Sequence, residues 1–431
     1  MSEETSTESL LGLAEQISGQ AYLLTHLLKA DGLVEPSHAA EDKTSHAADI
    51  SKAQENILGL TKKLTRLLQG PRGFLHEYIG PSWEHGALYA VLEFDVLEKI
   101  PLDGEAHVSD LATQSNIIED KLLKLLRLIA CEKIVEETTE GTFRHTDISR
   151  ELVSDKGFKA FIAFQLFETR VASAHLAGSL GREPEYWKEM SAFKYAWGSP
   201  MYEWHRNRPE KLARFELAMK SVTKSLDPGN RLFYEWFQAN KIRHGKTIVD
   251  VVSRDWAASR FLAEKFPELS FEVQTDSPRV LEKGQNDLPP EFQTRVKFAR
   301  RDMFKPRSDE NGENIGAYAL RDVLWNMEDR DCAKVLEAFV PVLEKSNETV
   351  LLVNELLSPA PKTFEPHVEQ AYRRRDVTLM TMHNVKQRTE QEWRDLLTSV
   401  HPSLKIDVIT GFTSHSSRGL WVVRWDPTQS L

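Results

Sequence analysis

Apolar residues recur at helical spacing over residues 8–30 and again over 50–70. Leu10, Leu11, Leu13 and Ile17 open the first stretch, and Ile57, Leu58, Leu60, Leu64, Leu67 and Leu68 mark the second. Two amphipathic helices are predicted there. The polar stretch between them holds Ser-His-Ala-Ala twice, at 37–40 and 45–48. Neither histidine has a cysteine or a further histidine beside it, so a solvated loop is expected rather than a metal site. Residues 155–235 read as helical and are crowded with rings, among them Phe158, Phe161, Phe164, Phe167, Trp187, Phe193, Tyr195, Trp197, Tyr202 and Trp204. Rings at that density suit both an ordinary core and the wall of an apolar small-molecule pocket.

Residues 83–150 carry the pattern of a winged helix. One helix is expected over 87–98, a second opens at Val108-Ser-Asp-Leu-Ala, and a third spans 119–131 with Leu122, Leu123, Leu125, Leu126 and Ile129 facing inward. A short hairpin then turns at Gly141. Such a unit can read DNA. Here Glu119, Asp120 and Glu132 border the basic side chains of the third helix, which favours a dimerisation or substrate-lid module.

From residue 246 strands alternate with helices, the signature of a parallel sheet wrapped on both faces. The β-branched run 247–252 reads as a strand buried on both sides. A helix over 256–266 follows, then strands over 271–274, 296–298, 316–320 and 350–353. A final antiparallel pair is predicted at 405–409 and 419–424.

Composition narrows the function classes. With 431 residues, 41% hydrophobic and 28% charged, the chain is long enough for two or three domains with sizeable cores. Lys plus Arg total 55 against 65 for Asp plus Glu, a net charge of −10 that disfavours nucleic acid or an anionic membrane as partner. No stretch approaches the roughly 20 apolar residues of a membrane span. Cys131 and Cys332 are the only cysteines, so a disulfide framework or a Cys-based zinc site is not supported. The acidic, polar start is unlike a targeting peptide, and a cytosolic protein is expected.

A set of short motifs then carries a resemblance. His145-Thr146, Phe266-Pro-Glu-Leu269, Asp276-Ser-Pro278, Asp302-Met-Phe304, Tyr318-Ala-Leu-Arg321, Asp331-Cys-Ala-Lys-Val-Leu336 and Asn384-Val-Lys-Gln-Arg-Thr389 follow one another in order. From about residue 60 onward the chain resembles the fungal O-methyltransferases of secondary metabolism. The resemblance implies an α/β fold: a Rossmann-like S-adenosylmethionine (SAM) domain with a mixed seven-stranded sheet, preceded by a mainly helical winged-helix dimerisation domain. It divides the chain into an N-terminal helical extension (1–80), a winged-helix domain (81–155), a helical linker and pocket segment (156–240) and the Rossmann-like domain (241–431). It also implies a homodimer, which the apolar N-terminal helices support.

The chemistry-bearing positions depart from that family. Its first strand runs into Val-Asp-Val-Gly-Gly-x-x-Gly, whereas this sequence reads Val249-Asp250-Val251-Val252-Ser253-Arg254-Asp255-Trp256. The glycine positions hold Val252, Ser253 and Trp256, and the expectation is a blocked SAM cleft with the indole in the methionine space and Asp255 capping the next helix. The family's general base is a histidine after the fourth strand. Trp325 stands there, and an indole N–H can donate but not accept. Of two acids that orient the family's histidine, Glu355 matches and the other has become Gln387. Asp250, Asp276 and Asp302 occupy positions of the family's SAM site, or are acids at strand ends.

A fold that keeps the substrate chamber but loses the methyl-donor loop and the base resembles the SAM-independent pericyclases of polyketide–peptide pathways. The expected function is a pericyclic cyclisation, Alder-ene or hetero-Diels–Alder, with or without a dehydration, of a polyketide-derived substrate with no cofactor. Trp325, as wall or N–H donor, and Arg321, Asn326, His383, Lys386, Gln387 and Glu355 are the candidate site residues. The alternatives are a SAM-dependent O-methyltransferase acting on a phenol acidic enough to ionise unaided, and a non-catalytic partner of an active homologue.

Overall fold

Ser9 starts the first helix, α1 (Leu10–Ala30), its hydroxyl accepting from the Gly12 amide at 3.1 Å. The second, α2 (Ala48–Ile79), breaks at the expected end, where Gly70 turns non-helical (φ 61°), and Pro71 starts a further helical run beyond the kink. The computed structural model describes residues 9–33, 48–181, 190–226, 231–240, 242, 245–252, 255–307, 314–346, 348–412 and 417–430. Both Ser-His-Ala-Ala copies apart from Ala48, together with Trp187, Ser253 and Arg254, lie outside the described residues. The chain forms two compact units: residues 1–178, 193–222 and 364–371 make the first, and 179–192, 223–363 and 372–431 the second.

In the first unit α1 and α2 run along each other, and Gly59 of α2 lies against His367, where a Cβ would stand 2.6 Å from Nδ1. The next helix, α3 (Pro81–Glu93), starts six residues before the expected 87 and stops five short of 98. Pro81 fits a first helical turn, and Asp95 at φ 50° breaks the helix before a 3₁₀ turn at Leu97–Lys99. Helices α4 (Val108–Ser115) and α5 (Glu119–Cys131) appear as expected. They pack on an antiparallel sheet of β1 (Glu105–His107), β2 (Val135–Thr139) and β3 (Thr142–His145), in the order β1-β3-β2. Gly141 turns the hairpin at φ 74°, a conformation open to glycine. Val91, Leu111, Leu122, Leu126, Ile129 and Phe143 are fully buried between these elements.

The second unit is a seven-stranded mixed sheet. Its strands are β4 (Thr247–Val251), β5 (Ser270–Thr275), β6 (Val296–Arg300), β7 (Ile315–Arg321), β8 (Val350–Leu356), β9 (Leu404–Phe412) and β10 (Ser417–Trp425). The order is β6-β5-β4-β7-β8-β10-β9, with β10 antiparallel to both of its neighbours and the other pairs parallel. Alternate residues feed two separate cores. Val249, Val251, Leu320, Leu351 and Val353 face one core, with Phe339, Trp393 and Trp421. Ile248, Val252, Ala319 and Leu352 face the other, beneath the helices Arg231–Asn240 and Ala257–Lys265. Burial on both faces is why these strands lack a polar side.

Among the described residues no helix is long and apolar enough to cross a membrane, and no group of three or more His, Cys, Asp or Glu could hold a metal ion. Cys131 is exposed and Cys332 buried, both as free thiols.

Candidate functional site

The parallel strands end together at one edge of the sheet, and β7 delivers Arg321 there. Asp322, next in the chain, adopts φ 53° and turns the backbone so that the Val323 and Leu324 amides donate to Glu355 Oε1 at 2.9 and 2.7 Å. Glu355, on β8, is fully buried, and its Oε2 meets no hydrogen-bond partner among the described residues. Burial, with the Asp322 carboxylate beside it, pushes the Glu355 carboxyl up to about 8, so it carries its proton at neutral pH. Asp322 is clasped by Arg418 of β10, at 2.8 Å to Nη1 and 3.1 Å to Nη2. Arg321 donates to Asn354 Oδ1 at 3.2 Å and lies over the Phe233 ring at 5.9 Å.

Trp325 closes the same turn. Its indole N–H donates to the Asp322 carbonyl at 3.1 Å, so the group expected to serve a substrate is engaged by backbone and the ring is left as a wall. His383 stands edge-on to that ring at 6.1 Å between centroids. Burial pushes its imidazole down to about 4, leaving it neutral and a weak proton acceptor. Asn326 is half-buried in the same loop.

Two expected site residues hold the scaffold instead. The Gln387 amide donates to the Leu357 carbonyl at 3.1 Å and accepts from Arg375 Nε at 3.0 Å. A buried amide held at both its oxygen and its nitrogen braces the segment that carries it. Lys386 is half-exposed and pairs with Asp329 (3.4 Å) and Glu392 (2.9 Å) beside the Thr389–Glu392 capping box. Asp322 and Arg418, which complete the turn, escaped sequence reading. Their only signal was an acid directly after Arg321 and a basic residue directly before Gly419 and the apolar run Leu420–Val423.

The residues that would hold SAM divide into two groups. Asp276 is exposed at the end of β5, and Asp302 follows β6 with Oδ1 accepting from the Phe304 amide at 3.0 Å. These carboxylates suit the adenosine half of the cofactor. Asp250 does not: it is buried, bonded to the Ser259 hydroxyl, and pushed up to about 6 by burial. The expected steric block is corrected. Trp256 packs edge-to-face on Phe298 (5.6 Å) and Phe292 (6.5 Å), and Val252 joins the same core, because an apolar ring at the head of a helix gains most by turning into the sheet. Neither residue adopts a positive φ. Asp255 does accept from the first helical amide, Ala257, at 3.0 Å. The described acids at the ends of β5 and β6 therefore fit the adenosine half of the cofactor.

A profile of the O-methyltransferase domain matches residues 179–400, just over half the chain. The O-methyltransferase phnC of Penicillium herquei is 48% identical over 84% of this chain and 87% of its own length. The chain belongs to the O-methyltransferase family. Solved structures place this O-methyltransferase-family chain by fold. OxaC in complex with SAH and oxaline matches with a TM-score of 0.76 at 16% identity, over 97% of this chain and 99% of that one. A pericyclic reaction enzyme matches with a TM-score of 0.69 at 16% identity, over 96% of this chain and all of that one. In this chain position 325 holds an indole whose N–H is engaged, and the turn that carries it rests on the buried Glu355 carboxyl, one oxygen of which has no partner among the described residues.

Proposed function

We propose that this O-methyltransferase-family enzyme of secondary metabolism does not methylate, and that it steers a pericyclic cyclisation of a polyketide-derived substrate without SAM. One observation carries the reading. At the place of the family's base stands Trp325 with its N–H engaged, and the imidazole beside it is held near 4. A base contributes about 10²–10⁴-fold to such a transfer, and a group so weakly basic does not replace it. A pericyclic step moves no proton to the protein. It needs a flexible chain held in its reactive conformer and a donor where negative charge grows on a carbonyl oxygen. Arg321 supplies a guanidinium at the strand ends, Asn326 a neutral amide, and Trp325 a flat wall.

The 48% identity to a protein named as an O-methyltransferase favours a second reading, methyl transfer to a phenol that ionises unaided. Incubation of the purified protein with polyketide extracts, with and without SAM, separates them. A new product of unchanged mass supports cyclisation, and a product heavier by one methylene overturns it. Calorimetry with SAM is the companion measurement, because submillimolar affinity favours the methyltransferase.

We also propose that the helix and hairpin module of the first unit serves a homodimer. Leu68, Tyr78 and Trp83 on α2 and α3 are 66%, 69% and 72% exposed, an apolar surface that a second copy would cover. Light scattering of the wild type and of Leu68→Glu tests this: the variant should lower the dimer fraction.

A further inference from the structure

Away from the strand-end site, a cleft of about 590 Å³ opens between α1, α2 and the segment 364–371. That size suits an organic ligand. All the residues that line it lie in the first unit. Gly19 and Gln20 of α1 face Asn56, Leu60 and Lys63 of α2 across it, and Glu365 and His367 complete the wall. A Cβ added at Gly19 would meet nothing within 4 Å, so the space beside α1 is open. Gly59, with no side chain of its own, lets the His367 ring lie directly on α2.

Amides set the chemistry along the cleft. Asn56 Nδ2 donates to Gln20 Oε1 at 3.2 Å. A carboxamide both donates and accepts, so this pair keeps N–H groups on Gln20 and an oxygen on Asn56. Together they complement the carbonyl and the N–H of one secondary amide. Leu60, one helical turn further on, offers apolar surface to the methylene groups between successive amides.

Charge sets its end. Lys63 stands about 10 Å along the helix from Asn56. It meets Glu365 only loosely, at 3.7 Å, with the two side chains 46% and 60% exposed. Exposed pairs of that kind contribute little, and an ammonium carries three donors, so Lys63 has N–H groups for an acid. Lys52, which also lines the cleft, is held more closely by Glu55 at 2.7 Å and serves as rim. His367 Nε2 is buried and meets no hydrogen-bond partner among the described residues, so the half-buried ring gains by turning that nitrogen toward an acceptor. We propose that this cleft binds an extended chain of secondary amides ending in an acid. Lys63 and His367 hold the acid, and Gln20 and Asn56 hold an amide about 10 Å away. A peptide C-terminus and a phosphopantetheine arm share that chemistry. The proposal concerns the first unit alone and holds whichever reaction the strand ends carry.

Calorimetry of the full chain tests it with two matched pairs: pantetheine 4′-phosphate against pantetheine, and N-acetyl-tetra-alanine against its C-terminal amide. In at least one pair the acid should bind about tenfold tighter than its neutral counterpart, and the pair that shows it identifies the source. Lys63→Gln should abolish that preference. Gln20→Leu should weaken both members of the pair severalfold and leave their ratio unchanged, which separates the amide contact from the charge. Circular dichroism establishes that each variant is folded. If Gln20→Leu does not fold, Lys63→Gln and His367→Phe decide, because the second keeps a flat ring on Gly59 and removes the nitrogen. No binding of any probe, equal binding within both pairs, or folded variants that bind as the wild type does would overturn the proposal.

Discussion

Glu355 shows how one absent partner changes a residue's chemistry. Its Oε1 accepts two amides while Oε2 has none, and the carboxyl keeps its proton up to about pH 8. An acid whose pKa rises on folding stays protonated in the folded chain where the unfolded chain has already ionised. Stability therefore falls as pH climbs from about 4.5 to about 8 and is level above. His383, pushed down to about 4 from 6.5, acts in the opposite sense, and its contribution is complete by pH 6.5. The contribution of Asp250, raised to about 6, is also complete there. Between pH 6.5 and 8 the wild type should lose up to about 1.4 kcal/mol per pH unit. Glu355→Gln should flatten that slope, as thermal melts at the two pH values will show. Trp325→Phe makes a second residue-scale prediction. Losing the bond to the Asp322 carbonyl should cost about 1 kcal/mol in denaturant titration, while native turnover, needing only the wall, changes less than threefold.

At the scale of elements, periodicity made the helices and strands legible and left their ends open. The run 247–252 announced a strand covered on both faces, and β4 is buried in that way. The end of α3 was not legible, because it depends on a left-handed Asp95, and an aspartate betrays no such φ in sequence. Side-chain direction at the head of a helix was equally hidden: Trp256 could turn to the loop or to the core, and the rings of Phe292 and Phe298 decide it. Glu168 left a faint signal, a lone acid among phenylalanines, whose meaning needed Arg214 from 46 residues away. Helix against helix, the contact of Gly59 with His367 predicts a double-mutant cycle. Gly59→Ala should cost about 1–2 kcal/mol by overpacking, and most of that cost should vanish in a His367→Ala background.

Across the molecule, the order of the landmark motifs fixed the family because order survives substitutions that single motifs do not. The site did not read out as fully. Position 325 stood out in the sequence by its chemistry, yet the hydrogen bond that engages its indole joins backbone and side chain three residues apart, which a motif cannot express. Gln387 and Lys386 looked like ligands because they lie near the expected centre, and they act as braces because Arg375, Asp329 and Glu392 meet them first.

The two thiols turn this architecture into a clock. Cys332 lies under the turn that carries Trp325, its sulfur 3.4 Å from the Leu324 carbonyl and 3.7 Å from that of Met327, and burial pushes the thiol up to about 12. Cys131 is exposed. Iodoacetamide should therefore mark Cys131 promptly and Cys332 only when the turn lifts away. The lag between the first and second adducts in intact-mass spectra would time the opening of the reaction centre without any engineered label.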